Sequence, residues 1–383
     1  MRLAINGWFL EPTHSGSSQY LHGLLAHLPA AAPELDLHVI APAALGEAPK
    51  LPDGIHLHHA GTGRGHVSKL LFEQLQFPRA AQRLNARLMH IPYWAPPLRA
   101  VLPFVLTVHD LIPMLVPAER GGLLARLYTA LAAAATPGAA QIVADSRSSA
   151  RDILRLLRVA ESRLHTVQLA VGAQFTPVQQ AQDAAARARY ALPESYVLYL
   201  GGFQPRKNVG ALISAWTWAH GPVGDQYPLV IAGALPVRST LPQDARSFGV
   251  AESVRFIGAV REQDKPAIYR GAACFVYPSL YEGFGLPPLE AMACGVPVIT
   301  SSSSSLGEVV GDAAYLVADP HDARQLGAAI ISLVVDGSLA DDLRARGLKQ
   351  AAGFSWQRTA AETARIYRSC MSFAPWCAHR HDA

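Results

Sequence analysis

Cysteine is scarce in this chain. Its 383 residues hold four, Cys274, Cys294, Cys370 and Cys377. No two of them stand at metal-ligand spacing. Cys274 and Cys294 lie in apolar segments and read as packed thiols, so a reducing compartment is the default expectation. Charge is also sparse, at 16%, while half the residues are hydrophobic. That balance excludes a disordered chain. There is no long Lys/Arg run and no RNA-binding aromatic motif, which argues against a nucleic-acid partner. No uninterrupted apolar run is long enough for a membrane span. The most apolar stretch, 121–143, is broken by Arg126 and Pro137 and reads as a soluble helix. The opening MRLAINGWFLEP is too short and too soon polar for a signal peptide. A cytoplasmic protein, integral to no membrane, is the expectation. Also missing are an Asp-x-Asp pair, a His/Cys cluster, a Gly-x-Ser-x-Gly elbow and a Walker loop. No metal ligand set and no cofactor are expected.

The net charge of +4 lies in one half of the chain. Residues 1–180 hold 15 basic and 11 acidic side chains, and the remainder holds 18 of each. Eleven of the 15 histidines also fall in that half. An acidic acceptor or a membrane surface would suit this asymmetry, and so would a scattered solvated face. Lys69, Arg79, Arg83, Arg87 and Arg99, with Arg64 just before them, are the basic side chains that could meet an anionic lipid-linked acceptor.

The length suits two domains. Strands are expected at 2–10, 37–41, 89–91, 104–108, 141–144 and 164–169, with helices at 15–29, 69–88, 123–135 and 150–157. Residues 42–66 read as loop and 172–192 as linker. A second series of strands is expected at 196–200, 228–232, 254–257, 274–277 and 296–300. A last helix spans 355–373, capped by Ser355. Strands alternating with helices through short loops imply parallel, doubly wound sheets. The expected domains are 1–175 and 190–354.

The chain is organised around YEGFGLPPLEAMACGVPVITSSSSSLGE, residues 281–308. Gly283 and Gly285 permit a sharp turn, and Pro287 and Pro288 suit a first helical turn. The amides of Phe284, Gly285 and Leu286 then face out of a helix N-terminus, ready for an anion or a sugar hydroxyl. Glu282 and Glu290 flank the turn. Ser301–Ser305 read as a flexible loop. A second stretch, VLYLGGFQPRKNVGALISAW (197–216), ends a strand at Gly201 and Gly202 and places Arg206 and Lys207 before the next helix. Such bases suit phosphate oxygens. RFIGAV, around Ile257, ends another strand in a glycine turn, and an ordinary strand–turn reading stays equally open. Gly16 opens a loop that feeds a helix, again a phosphate-binding geometry. His109 follows a strand, where it could donate to a hydroxyl or a phosphate.

Taken together, these strings resemble the retaining nucleotide-sugar glycosyltransferases of family 4. There, two glutamates with seven residues between them enclose a GFGLP-type turn, and a PRKN segment holds the donor pyrophosphate. The likeness covers nearly the whole chain. It departs at Ser18, at Gly202 and at Gly307, where the family has glycine, in some members arginine, and proline. It implies an α/β GT-B fold, two Rossmann-like doubly wound domains facing a central cleft, with the last helix crossing back to the first domain. It implies a catalytic set of Glu282, His109 and Lys207. The donor site would comprise Gly16, Gly202, Arg206, Lys207, Ile257, Glu282, Phe284, Gly285, Leu286 and Glu290. Glu282 would meet the sugar and Glu290 the ribose. The implied reaction moves a hexose from a nucleoside diphosphate sugar, GDP-mannose first and a UDP-sugar next, to a saccharide or lipid-linked hydroxyl. An epimerase of the same fold and an inactive sugar-binding partner are the alternatives. Peripheral contact with the inner membrane face stays open.

Overall fold

The structure, a computed structural model, describes residues 1–11, 15–43, 51–61, 63 and 65–371. Arg64 and Cys377 lie outside them. The chain divides into two units. One is Met1–Ala170 with the stretch from Ser355, and the other is Val171–Phe354.

Among the described residues, the first unit is built on seven parallel strands: β1 (Arg2–Asn6), β2 (Asp36–Ala41), β3 (Ile55–His59), β4 (Leu88–Ile91), β5 (Phe104–Val108), β6 (Gln141–Ala144) and β7 (Leu164–Thr166). Their order is β3-β2-β1-β4-β5-β6-β7. The inner strands are continuous apolar runs because a parallel sheet is covered on both faces, and β4, β5 and β6 are buried along their whole length. The second unit has six: β8 (Tyr196–Leu200), β9 (Leu229–Ala232), β10 (Val254–Gly258), β11 (Ala272–Tyr277), β12 (Val298–Ser301) and β13 (Tyr315–Val317), in the order β10-β9-β8-β11-β12-β13. Both sheets reverse direction beside their first strand, between β1 and β4 and between β8 and β11. In an open α/β sheet, ligands bind at the carboxyl ends of the strands at this switch point.

Several expectations are corrected. Residues 42–66 contain β3, an edge strand with one neighbour whose sequence, IHLHH, lacks an apolar run. The edge strand β13 went unread because it is only three residues long. The single helix expected at 69–88 is three pieces: His66–Leu71, a π-helical Phe72–Gln76 and Phe77–Arg83. Pro78 supplies no N–H and its ring crowds the preceding turn, and the wider turn absorbs that conflict. The stretch read as a linker is part of the second unit. It carries the helix Asp183–Arg189, tied by a two-pronged ion pair from Arg270 to Asp183 and by Arg189 on Asp264. Strand β1 stops at Asn6, whose Oδ1 accepts from the Trp8 amide and turns the chain.

The last helix, Trp356–Met371, belongs to the first unit, as the resemblance implied. Ser355 Oγ accepts from the Arg358 amide. The helix lies along Gly16–Ala31, where Gly23 faces Trp356 so closely that a Cβ would come within 2.3 Å of the indole. Deeper in, a buried polar chain joins helix to sheet: Tyr367 Oη is 2.8 Å from His90 Nδ1, His90 Nε2 is 2.9 Å from Thr107 Oγ1, and Thr107 Oγ1 is 3.1 Å from Tyr20 Oη. Burial, helped by the nearby charge of His109, pushes the His90 pKa down to about 3, so the ring is neutral and can both donate and accept.

Gly23→Ala should therefore force the indole or the helix aside and cost about 1–3 kcal/mol. Urea denaturation of the variant checks this, and unchanged stability would mean that the Trp356 ring has another place to pack.

Candidate active site

The switch point of the second unit brings two loops together. The loop after β8 carries Gly201, Gly202, Arg206 and Lys207, and the loop after β11 carries Ser279, Tyr281 and Glu282. They meet on one oxygen. Glu282 Oε1 accepts from Lys207 Nζ at 2.6 Å, Ser279 Oγ at 2.6 Å, Arg206 Nη1 at 3.0 Å and Tyr277 Oη at 3.1 Å. Among the described residues no hydrogen bond reaches Oε2. The carboxylate side chain is 10% exposed, and those of Lys207 and Arg206 are 10% and 13% exposed. Burial alone would raise the pKa of Glu282. The charges of Lys207 and Arg206, with the hydrogen bonds from Lys207 and Ser279, outweigh it and hold the carboxyl below its ordinary value of 4.5. Lys207 Nζ also lies 5.0 Å over the ring of Tyr277, which is stacked between Tyr199 and Phe275. The Lys207 ammonium is therefore held by ring, hydroxyl and carboxylate at once.

The glycine turn follows directly. Gly285 has φ +116° and precedes the helix Leu286–Ala293, a conformation that glycine adopts without strain. Pro287 and Pro288 have no N–H to offer. No described hydrogen bond uses the amides of Phe284, Gly285 or Leu286, so they are the donors at this helix end. The run Ser301–Ser305, read as flexible, is what pins the turn. Ser304 Oγ accepts from the Glu282 amide at 2.8 Å. Ser305 Oγ lies 2.9 and 2.7 Å from the carbonyl oxygens of Glu282 and Phe284. Ser301 Oγ donates to the Ser279 carbonyl at 2.7 Å. A polar run looks like a loop in sequence, yet here the hydroxyls of Ser301, Ser304 and Ser305 serve as partners for backbone groups.

Other expected residues are placed elsewhere. Glu290 is buried on the helix, and its Oε2 accepts from Tyr269 Oη at 2.9 Å. Ile257 is in β10, at the outer edge of the sheet and two strands from the switch point. Gly16, in the first unit, begins a helix capped by Ser15, and a Cβ there would meet open space. His109, also in the first unit, uses both ring nitrogens: Nδ1 on Asp145 at 2.7 Å and Nε2 on the carbonyl of Pro92 at 3.1 Å. Burial disfavours its charge, but Asp145 outweighs burial and the pKa is raised. Both ring nitrogens are engaged by oxygen partners.

Sequence reasoning missed Ser279 and Tyr277, although both sit just before the glycine turn at the end of β11. It also missed a network in the first unit. Lys69 Nζ pairs with buried Glu73 at 2.8 Å and lies 5.7, 5.0 and 4.9 Å from the rings of Phe9, Tyr93 and Tyr128. A lone glutamate at an apolar helical position, Glu73, was the available signal. Lys69, expected on a basic surface, thus points inward.

The sequence matches the family described as Glycosyltransferase Family 4 over residues 14–174, and the Glycosyl transferases group 1 over residues 183–350. The chain belongs to the family 4 glycosyltransferases. One similar protein is the O-antigen chain mannosyltransferase B of Escherichia coli, 38% identical over 59% of this chain and 60% of that protein. Another is the serotype-specific mannosyltransferase WbdA of Escherichia coli, 34% identical over 67% of this chain and 32% of that protein. The matched region thus spans less than two thirds of the length of these relatives. Among solved structures, sucrose-phosphate synthase from Thermosynechococcus elongatus superposes with a TM-score of 0.76 at 22% identity, covering 97% of this chain and 99% of that one. The fold of this family 4 member is GT-B.

A Glu282→Gln variant would remove the buried carboxylate that Lys207 and Arg206 share, at a cost of about 3 kcal/mol near neutral pH. A depressed folded pKa contributes stability that is present above the unfolded value and is lost as pH falls through the folded value. The gap between wild type and Glu282→Gln should therefore be constant above pH 4.5 and close below it. Denaturant titrations across that range measure it, and a gap that persists in acid would contradict the pairing.

Proposed function

We propose that this chain is a retaining hexosyltransferase. It would move a hexose, mannose first, from a nucleoside diphosphate sugar, GDP-mannose before a UDP-sugar, to a saccharide or lipid-linked hydroxyl in polysaccharide or glycolipid synthesis. The observation that carries the reading is Glu282 Oε1 holding Arg206 and Lys207 together beside the amides of residues 284–286. Diphosphate departure develops negative charge, and fixed donors already in place offset it without reorganisation. Arg206, Lys207 and those amides are the donors, with Gly202 at the end of β8 beside them. Glu282 Oε2 is left for a hydroxyl of the sugar. Glu290 keeps the ribose role in this reading, and Ile257 keeps the base-facing one. Attack from the face the diphosphate leaves, with a phosphate oxygen taking the acceptor proton, needs no protein nucleophile. The mannosyltransferase names of the relatives support the choice of sugar.

The cation cluster takes the place that a carboxylate-held Mg²⁺ would otherwise fill. Thermal-shift screening of nucleotide sugars should pick out GDP-mannose, and turnover with an acceptor should be the same in excess EDTA as in magnesium. No response to any nucleotide sugar would end the reading. Conversion of donor alone would make the chain an epimerase, and retention of the donor without turnover a binding partner. Turnover abolished by EDTA and restored by metal would overturn the phosphate assignment.

No described helix is long and apolar enough to cross a membrane. Peripheral contact is part of the proposal. Leu123, Leu124 and Leu127 are 74%, 82% and 58% exposed on one helix, and Val67 is 73% exposed on the helix joined to it through Lys69 and Tyr128. Arg79, Arg83, Arg87 and Arg99 are exposed too, as suits an anionic surface. Co-sedimentation with anionic vesicles should be strong at low salt and weakened by Leu124→Asp. No sedimentation of the wild type would remove the membrane from the proposal.

A further inference from the structure

Strand β3 lies at the outer edge of the first unit's sheet and is rich in histidine. Its register on β2 sets His38 beside His56 and Ile40 beside His58, while Asp36 pairs with Arg2 of β1. Side chains two apart along a strand share a face, so Asp36, His38, His56 and His58 project together. An oxygen of Asp36 and ring nitrogens of His38 and His56 lie within 4.8 Å of one another. His38 Nε2 is 2.8 Å and His56 Nε2 3.7 Å from Asp36 Oδ1. Ligands 2.0–2.1 Å from a tetrahedral zinc ion sit about 3.3 Å apart, so these separations bracket the required spacing.

We propose that Asp36, His38 and His56 bind one divalent cation of the zinc class. Two imidazoles and one carboxylate suit a borderline transition ion over magnesium. The surroundings orient each ligand. Arg2 Nε donates to Asp36 Oδ2 at 2.8 Å, which turns Oδ1 toward the histidines. His38 Nδ1 is 2.7 Å from His58 Nε2. A proton on that Nδ1 leaves His38 Nε2 with its lone pair toward the ion, the arrangement by which an outer group fixes a metal-binding imidazole. His58 is thus a positioning residue. The His38 side chain is 8% exposed, whereas Asp36 and His56 are 37% and 61% exposed, so the site opens to solvent and water can complete the coordination. The ion would tie the edge strand to its neighbour and cover part of an unpaired sheet edge. The proposal is independent of the donor-site reading, because every residue in it lies in the first unit's sheet and the test reads binding alone.

The experiment adds Zn²⁺ to the EDTA-stripped full chain, followed by calorimetry, with Co²⁺ as a spectroscopic probe of tetrahedral geometry. One equivalent of Zn²⁺ should bind, and Co²⁺ should give the visible bands of a tetrahedral site. His56→Ala, whose side chain is largely exposed, should fold normally and bind at least about tenfold more weakly, with loss of those bands. His58→Ala should lower affinity by about tenfold through the lost orientation of His38. Absence of zinc binding by the wild type overturns the proposal. So does binding unchanged in a folded His56→Ala, which would put the ion elsewhere in the chain.

Discussion

One buried carboxylate oxygen holds the second unit's site together. Glu282 Oε1 receives a lysine, an arginine, a serine and a tyrosine. It offsets the burial of both cations, since an unpaired buried charge is far costlier than a paired one. Their charges in turn hold its pKa down against its own burial. The pairing exists because the strand order reverses between β8 and β11. That reversal leaves room for two loops, 75 residues apart in the chain, to converge. The rest of the site is fitted to this contact. The serines of 301–305 hold the backbone of the Glu282 turn, and the turn in its left-handed glycine starts the helix whose amides face outward.

Burial produces different chemistry in the first unit's histidines. His90 is buried without a carboxylate partner, so it is neutral and links Tyr367 to Thr107. His109 is partly exposed and stands beside Asp145, which raises its pKa. His38, on the strand next to the edge, has one nitrogen toward Asp36 and the other toward His58. Residue type looks alike for all three. The neighbours brought by adjacent strands decide which is a structural donor, which an ion-pair partner and which a ligand.

Much was legible in the sequence. The inner strands stood out because burial on both faces demands unbroken apolar runs, and Phe104–Val108, Gln141–Ala144 and Tyr196–Leu200 lie where they were expected. The turn around Gly285 and the bases at 206 and 207 were readable from local backbone chemistry. What local pattern cannot carry is pairing across the fold. Edge strands such as β3 have no two-sided burial to imprint on them. A proline inside a helix does not say whether the chain will break or widen its turn. Five serines in a row do not say which carbonyls await them.

The sequence by itself therefore determined the α/β architecture, the glycine turn and the family, because each rests on periodicity and on residues adjacent in the chain. The tertiary structure alone decided that Glu282 neutralises Arg206 and Lys207, that Lys69 turns inward to Glu73, that His109 has no nitrogen to spare, and that Asp36, His38 and His56 converge. Apart from the Lys69–Glu73 pair, which is four residues apart on helical turns, each of these depends on which elements lie side by side, because partners are set by distance in space, to which spacing along the chain is blind.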